Sequence, residues 1–302
     1  MAQNTKDNVF FVVDGPDIAA SAALLATSIY DHNKDGVTQI AYVPNARWDT
    51  LPTSLIDVLD LCGVRIEKLP DAPVQWRRPF PHGNKILAAA QPRKGSYGLF
   101  LDSDMICIRP MDLCAIKDIS TVAMVPENTP NWSLNQDRWK AVYGTFDIPL
   151  PTRTVRSVRD EKVDMLPYFN AGFVFFPEQA IKSGKTFGQL WMDTAYTIDN
   201  DSSVGGKRPW LDQISLPVTI ARYDMNYNAI SDDYNFSINR RVYDSARVPC
   251  VLHYLRWRWI KEWPPALKQF YRMEPILGHE LYRRLMSDYE AQYCQIGVPL
   301  FQ

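Results

Sequence analysis

The chain has no run of about 20 apolar residues, the length needed to cross a bilayer, so no transmembrane helix is expected. Its opening, MAQNTKDNVFFVVDG, carries one Lys and passes directly into a strand-like run. It lacks the apolar core and small-residue cleavage site of a signal peptide. Net charge is nearly absent as well: a formal −1 over 302 residues argues against a general nucleic-acid or membrane-surface binder. Cysteine is scarce. Cys62, Cys107, Cys114, Cys250 and Cys294 form an odd set at wide spacings, mostly within apolar runs. That pattern argues against a disulfide framework or a zinc site and predicts free thiols in a reducing compartment. Internal repeats, low-complexity tracts and a dividing linker are also missing.

What is present is apolar mass, 46% hydrophobic and 12% aromatic, enough for a substantial core. Buried-type strands are predicted at 8–13, 39–43, 64–69, 99–101 and 121–125, with helices at 19–30, 51–61 and 83–91 between them. Apolar strands alternating with helices predict an α/β fold with a mainly parallel sheet flanked by helices. Residues 127–166 break the rhythm. They are polar, with several Trp and Arg, and are read as an inserted lid with a helix of its own near 135–143. A strand at 173–176, a helix at 185–198, a Gly/Ser-rich turn at 199–208 and a strand at 251–254 follow. A largely helical segment, 265–294, closes the chain. The expected organisation is one catalytic domain: a nucleotide-binding half 8–126, the lid 127–166, a second half 167–264 and a C-terminal helical segment 265–302.

The chemistry-bearing stretch is YGLFLDSDMICIRP, residues 97–110. If the extended conformation continues past Leu101, Asp102 and Asp104 project to one side. Two carboxylates with no Lys or Arg between them repel, a cost that a solvated strand end tolerates or a bridging cation removes. Hard divalent cations such as Mg²⁺ or Mn²⁺ take oxygen ligands and share them with phosphates. Ligands in open α/β sheets lie at strand carboxyl ends, where this motif stands. A turn in which Asp102 caps a backbone amide is the bland alternative. A phosphatase-like Asp-x-Asp-x-Thr is disfavoured, because the later position holds Ile106 and several strands precede it.

Around this motif stand FVVDG, GNKIL, YFNAGFVFFP (168–177), PWLDQISL (209–216) and VLHYLRWRWIKEWP (251–264). Their order over roughly 8–264 resembles the GT-A nucleotide-sugar glycosyltransferases, most closely the glycogenin-like and galactosyltransferase-like retaining group (family 8-like). The resemblance implies a GT-A, Rossmann-like fold. Its implied reaction is metal-dependent transfer of a sugar from a nucleotide-diphospho-sugar, a UDP-sugar by preference, to an acceptor hydroxyl with retention. It also implies roles. Asp14 contacts the base, with Val12 and Val13 lining that pocket, and Lys85 lies near the donor. Asp102, Asp104 and His253 hold Mn²⁺ or Mg²⁺, with Ser103 between the carboxylates. Asn170 and Gly172 sit under the donor sugar, and Asp212 and Gln213 near its anomeric carbon. The family's late motif has a Gly three residues after the His and then Lys-Pro-Trp. Here Arg256 takes the Gly position and Lys261 precedes Glu262-Trp263-Pro264, so the contact to the leaving diphosphate falls to Lys261, Arg256 or Arg258.

Each position also has a plain structural reading. Asp14-Gly15-Pro16 is a good turn, and Asn170 to Gly172 suits a bulge in a buried strand. Asp212 is able to cap a helix. Lys85 reads alone as a surface lysine and His253 as a buried histidine bonded to a carbonyl. Trp257, Trp259 and Trp263 suit a sugar platform or the core. Two other functions compete: a sugar-nucleotide nucleotidyltransferase, disfavoured by the acidic Asp14-Gly15-Pro16-Asp17 where a basic Gly-rich loop belongs, and a silent carbohydrate-binding scaffold. The acceptor, whether saccharide, glycan, lipid or protein, is unassigned. The expected setting is the cytoplasm, soluble or touching a membrane peripherally through 256–261.

Overall fold

The computed structural model describes residues 6–73, 75–130, 132, 136–159 and 162–300. Along the chain come β1 (Asp7–Val12), α1 (Gly15–Asn33), β2 (Val37–Pro44), α2 (Thr53–Leu61) and β3 (Arg65–Leu69). Then follow α3 (Gly83–Ala90), β4 (Tyr97–Leu101), β5 (Met105–Cys107), β6 (Thr121–Pro126) and α4 (Gln136–Gly144). The middle continues with β7 (Val155–Arg156), β8 (Asp164–Met165), β9 (Phe169–Pro177), α5 (Phe187–Asn200), α6 (Leu211–Arg222) and β10 (Asn226–Ala229). The last elements are β11 (Phe236–Ser237), β12 (Val251–His253), α7 (Pro264–Tyr271), α8 (Met273–Leu277), α9 (His279–Asp288) and α10 (Glu290–Tyr293).

A seven-stranded sheet has the order β10-β6-β9-β4-β1-β2-β3. β1 pairs β2, β2 pairs β3 and β10 pairs β6, all in parallel, whereas β6 and β9 run antiparallel. This is the mainly parallel, helix-flanked α/β sheet that the alternating pattern predicts. β1 is buried along its whole length, as a central strand covered on both faces must be.

The chain divides into two compact units. The first comprises Met1–Pro70, Leu101–Asp112 and Asp233–Gln302. Its α1 is rich in Ala, which brings its buried face close to its neighbours. The closing helices are tied back to it. Arg272 donates from Nε and Nη2 to the two oxygens of Asp31, both at 2.5 Å, and Gln292 donates to Asp17 at 3.0 Å. That fork holds the Asp31 carboxyl below its ordinary range. A small sheet, β11-β12-β5, also belongs to this unit.

The second unit comprises Asp71–Phe100 and Leu113–Asp232. Its α5 begins at a capping box, in which Thr186 and Gln189 satisfy each other's backbone amides. Arg93 and Glu178 form a buried pair at 2.5 Å. Burial lifts the Glu178 carboxyl, against the opposing pull of Arg93.

Several expectations need correction. Residues 102–104 form a turn between β4 and β5, so the extended conformation stops at Leu101. The lid is less polar inside than its composition suggests: Trp132, Trp139, Val142 and Tyr143 are buried. Asn135, the expected first residue of its helix, lies outside the described residues. The turn expected over 199–208 starts later, since α5 runs to Asn200. Trp257 and Trp263 are core residues, and Trp259 is half-buried. The five cysteines are free, with Cys62, Cys107 and Cys250 buried. Burial pushes Cys62 up to about 12 and Cys250 up to about 11, so both are unreactive thiols at neutral pH.

Gly188 shows how closely the second unit is packed. A Cβ there would stand 1.9 Å from the Ala89 carbonyl oxygen, so α5 lies against the backbone of α3 at this point. Gly188→Ala gains about 1 kcal/mol of helix propensity. It meets a backbone atom that cannot rotate away, at a cost of about 1–3 kcal/mol or more. The clash should win, lowering the denaturant midpoint, whereas Gly144→Ala, with nothing within 4 Å, should leave it unchanged or raise it slightly. Equal midpoints for the two variants would contradict this packing.

Candidate functional site

In the first unit, Asp102 follows directly on Leu101, the last residue of β4, and β5 begins directly after Asp104. Ser103 is buried, and its hydroxyl donates to the Val12 carbonyl at 2.6 Å, pinning the turn to the end of β1. β12 pairs antiparallel with β5, setting His253 opposite Met105, and the Tyr254 amide donates to the Asp104 carbonyl at 3.1 Å. One ligand atom each from Asp102, Asp104 and His253 lie within 4.8 Å of one another. His253 Nδ1 stands 3.0 Å from the Asn235 carboxamide oxygen, an acceptor, so that nitrogen carries a proton. Nε2 faces the Asp104 carboxylate at 3.1 Å. An acceptor facing a second ring nitrogen is satisfied by a proton or by a shared cation. Two carboxylates and an oriented imidazole are an oxygen-and-nitrogen donor set that fits a divalent ion such as Mn²⁺. His253 is buried while both carboxylates keep partial solvent access.

The other residues named for this unit fall as follows. Val13 is fully buried, and its amide donates to the Tyr42 carbonyl at 2.9 Å. Val12 is nearly buried. Asp14 precedes α1 without capping it and accepts from Arg47 Nε at 3.3 Å. Arg256, Arg258 and Lys261 are all exposed, and the Lys261 ammonium lies against Gly297.

The second unit gathers a separate polar group. Lys85, in the first turn of α3, forms an ion pair with Asp212, in the first turn of α6, at 3.1 Å. Their side chains are only 11% and 4% exposed, so Lys85 is no surface lysine and Asp212 is not an N-cap. Tyr168 donates its phenol to Gln213 Oε1 at 2.6 Å. Burial first, and then the Glu127 and Asp212 charges, push that phenol far above its ordinary range, so it remains a donor. Asn170 donates to Glu127 Oε2 at 3.0 Å and accepts from the Gly172 amide at 2.9 Å. Glu127, Tyr168, Arg47 and Asn235 were not singled out in the sequence. A signal existed for Glu127: like Asp102, it is a carboxylate directly after a buried apolar strand.

A family model described as the Rhodobacterales glycosyltransferase domain matches residues 9–224. The chain belongs to this family. The family description favours a glycosyltransferase over the nucleotidyltransferase and silent-scaffold readings. No curated protein matches the sequence. Among solved structures, the apo form of the bifunctional glycosyltransferase WbbM aligns at 13% identity and a TM-score of 0.58. That alignment covers 97% of this chain but 52% of WbbM, so the chain spans about half of that protein's length. An active-site mutant of LgtC aligns at 12% identity and a TM-score of 0.51, covering 82% of this chain and 86% of LgtC. Apo mouse xyloside xylosyltransferase 1 aligns at 11% identity and a TM-score of 0.50, covering 83% and 97%. At such identities the likeness shows the shared GT-A fold. No helix among the described residues is long and apolar enough to cross a membrane.

The Lys85–Asp212 pair gives a test that needs no substrate. Removing one partner of a buried pair strands the other charge, at about 3–5 kcal/mol, whereas replacing both with apolar groups is often close to neutral. Lys85→Met and Asp212→Leu should each destabilise the protein in chemical denaturation, and the double variant should be more stable than either. Strictly additive losses would mean that the two charges do not depend on each other.

Proposed function

We propose that this glycosyltransferase moves a sugar from a UDP-sugar to an acceptor hydroxyl with retention, using Mn²⁺ or Mg²⁺. The observation that carries the reading is the convergence of Asp102, Asp104 and His253 to within 4.8 Å. The placement beside the glycogenin-like group rests on the order of motifs. A divalent ion there would neutralise the charge gained by the leaving diphosphate.

The protein's own groups then have distinct tasks. His253, oriented by Asn235, and the two carboxylates hold the ion, and the Ser103 bond keeps the turn in place. Asp14, Val12 and Val13 take the base, and exposed Lys261 and Arg256 supply positive charge for the diphosphate. Asn170 and Gly172 lie beneath the donor sugar, and Lys85 orients it. Asp212 and Gln213 work near the anomeric carbon. Asp212 already spends an oxygen on Lys85, which makes it a poor nucleophile and favours the same-face route. In that route the acceptor oxygen bonds to the anomeric carbon as the carbon–phosphate-oxygen bond breaks. The acceptor proton passes to the departing diphosphate. Tyr168 fixes the Gln213 carboxamide by its oxygen, leaving the amide nitrogen as the donor end.

The chain is proposed to work as one catalytic domain, with residues 127–166 and the closing helices shaping the acceptor site. The free thiols support a cytoplasmic setting. Asp102→Ala and Asp104→Ala should each cut transfer by about 10²-fold or more with the thermal midpoint nearly kept. Excess EDTA should abolish transfer, and Mn²⁺ should restore it. Full activity in either variant or in EDTA would remove the metal from the reaction. NMR of the product should show the donor's anomeric configuration, and inversion would refute the same-face route.

A further inference from the structure

The first unit has a cleft of about 520 Å³ lined by none of the residues given a task in the proposed transfer. It lies between the end of α1, the residue after β5 and the start of α7. Its volume falls within the usual range of small-molecule sites, about 300–1,000 Å³. Ile108, on its wall, stands four residues past Asp104. Even a fully extended chain of that length spans only about 14 Å, so the cleft is close to the proposed metal cluster without sharing a residue with it.

One wall is a polar network whose members fix one another. Asp31 accepts from the Arg272 fork and from Gln269 Nε2 at 3.2 Å. Because the Gln269 amide nitrogen faces that carboxylate, its oxygen faces His32 Nε2, at 3.1 Å. His32 Nε2 therefore carries a proton, which makes Nδ1 the acceptor of the neutral ring. The charges of Asp31 and Arg272 cancel within the wall, so it offers oriented donors and acceptors rather than a field of one sign. The other wall is apolar and flat. Half-buried Tyr243 stands edge-on to Trp263 at 5.2 Å, and half-buried Ile108 and Pro265 line the cleft with it. α7 begins with Pro264 and Pro265, which carry no N–H, so the helix start presents ring faces instead of amides that would draw an anion. A saccharide matches both walls. Its C–H faces suit an aromatic and proline surface, and its hydroxyls, each donor and acceptor at once, suit a network that holds both kinds of partner in place.

We propose that this cleft is a second carbohydrate site, one that binds a neutral saccharide apart from the centre of transfer. The full chain is titrated by calorimetry in excess EDTA with maltose, lactose, cellobiose and sucrose. At least one of the four should bind with a Kd of about 1 mM or tighter. Its affinity should stay level as salt rises, because a neutral ligand brings no charge to screen. Lys268→Trp sets bulk at the cleft from an exposed position and should weaken that binding about tenfold or more with an unchanged thermal midpoint. Tyr243→Leu removes the aromatic face and should weaken it by a similar factor. Asp102→Ala, at the proposed metal cluster, should bind the same sugar as the unaltered chain does. No binding of any of the four below about 10 mM, unchanged affinity in either cleft variant, or loss of binding in Asp102→Ala overturns the inference. Failure of sugar transfer would count against the proposed function and leave this binding result standing.

Discussion

The proposed metal chemistry depends on one short pairing. β5 and β12 exchange three residue pairs, and that ladder carries His253 to the turn that holds Asp104. β5 alone gives two repelling carboxylates at a strand end. β12 alone gives a buried histidine beside an asparagine. Paired, they form a donor set whose second imidazole nitrogen already points at a carboxylate. Neither strand is long enough to be stable by itself. The strength of the site therefore lies in what surrounds the ladder: the Ser103 bond to β1, the Asn235 bond to His253, and α1 packed against β5.

The second unit solves a different problem. Its polar residues satisfy one another, Lys85 with Asp212, Tyr168 with Gln213, and Asn170 with Glu127. Buried polar groups without partners would cost more than the fold could spare. The same pairing keeps each side chain in one orientation, which a positioning role requires.

The sheet, and the aspartates at the end of an apolar strand, were legible in the sequence because both follow short-range rules. β1 carries the apolar run Val9–Val12 and β4 is apolar to its end, where the carboxylates follow. What the sequence hid depends on distance along the chain. At α6 the sequence suggested only a helix after Asp212, as far as Leu216, whereas the helix begins at Leu211 and continues past Pro217 to Arg222. β10 is polar and mostly exposed at the sheet edge, so no apolar alternation marked it. Lys85 looked like a surface residue because its partner lies far along the chain. Trp257 and Trp263 looked available to a sugar until the packing of the first unit showed them buried. His253 was placed by resemblance. Its bond to Asn235, 18 residues earlier, has no sequence signature.

The interleaving of the two units sets an order in time. The second unit is complete once residue 232 has been made, although the first began earlier in the chain. The first must wait for the stretch from 233 onward, and Asp104 waits 149 residues for His253. At roughly 5–20 residues per second, the two carboxylates spend on the order of ten seconds on the ribosome without their histidine. During synthesis the later-starting unit can fold first, and the three-ligand cluster is among the last features of the protein to form.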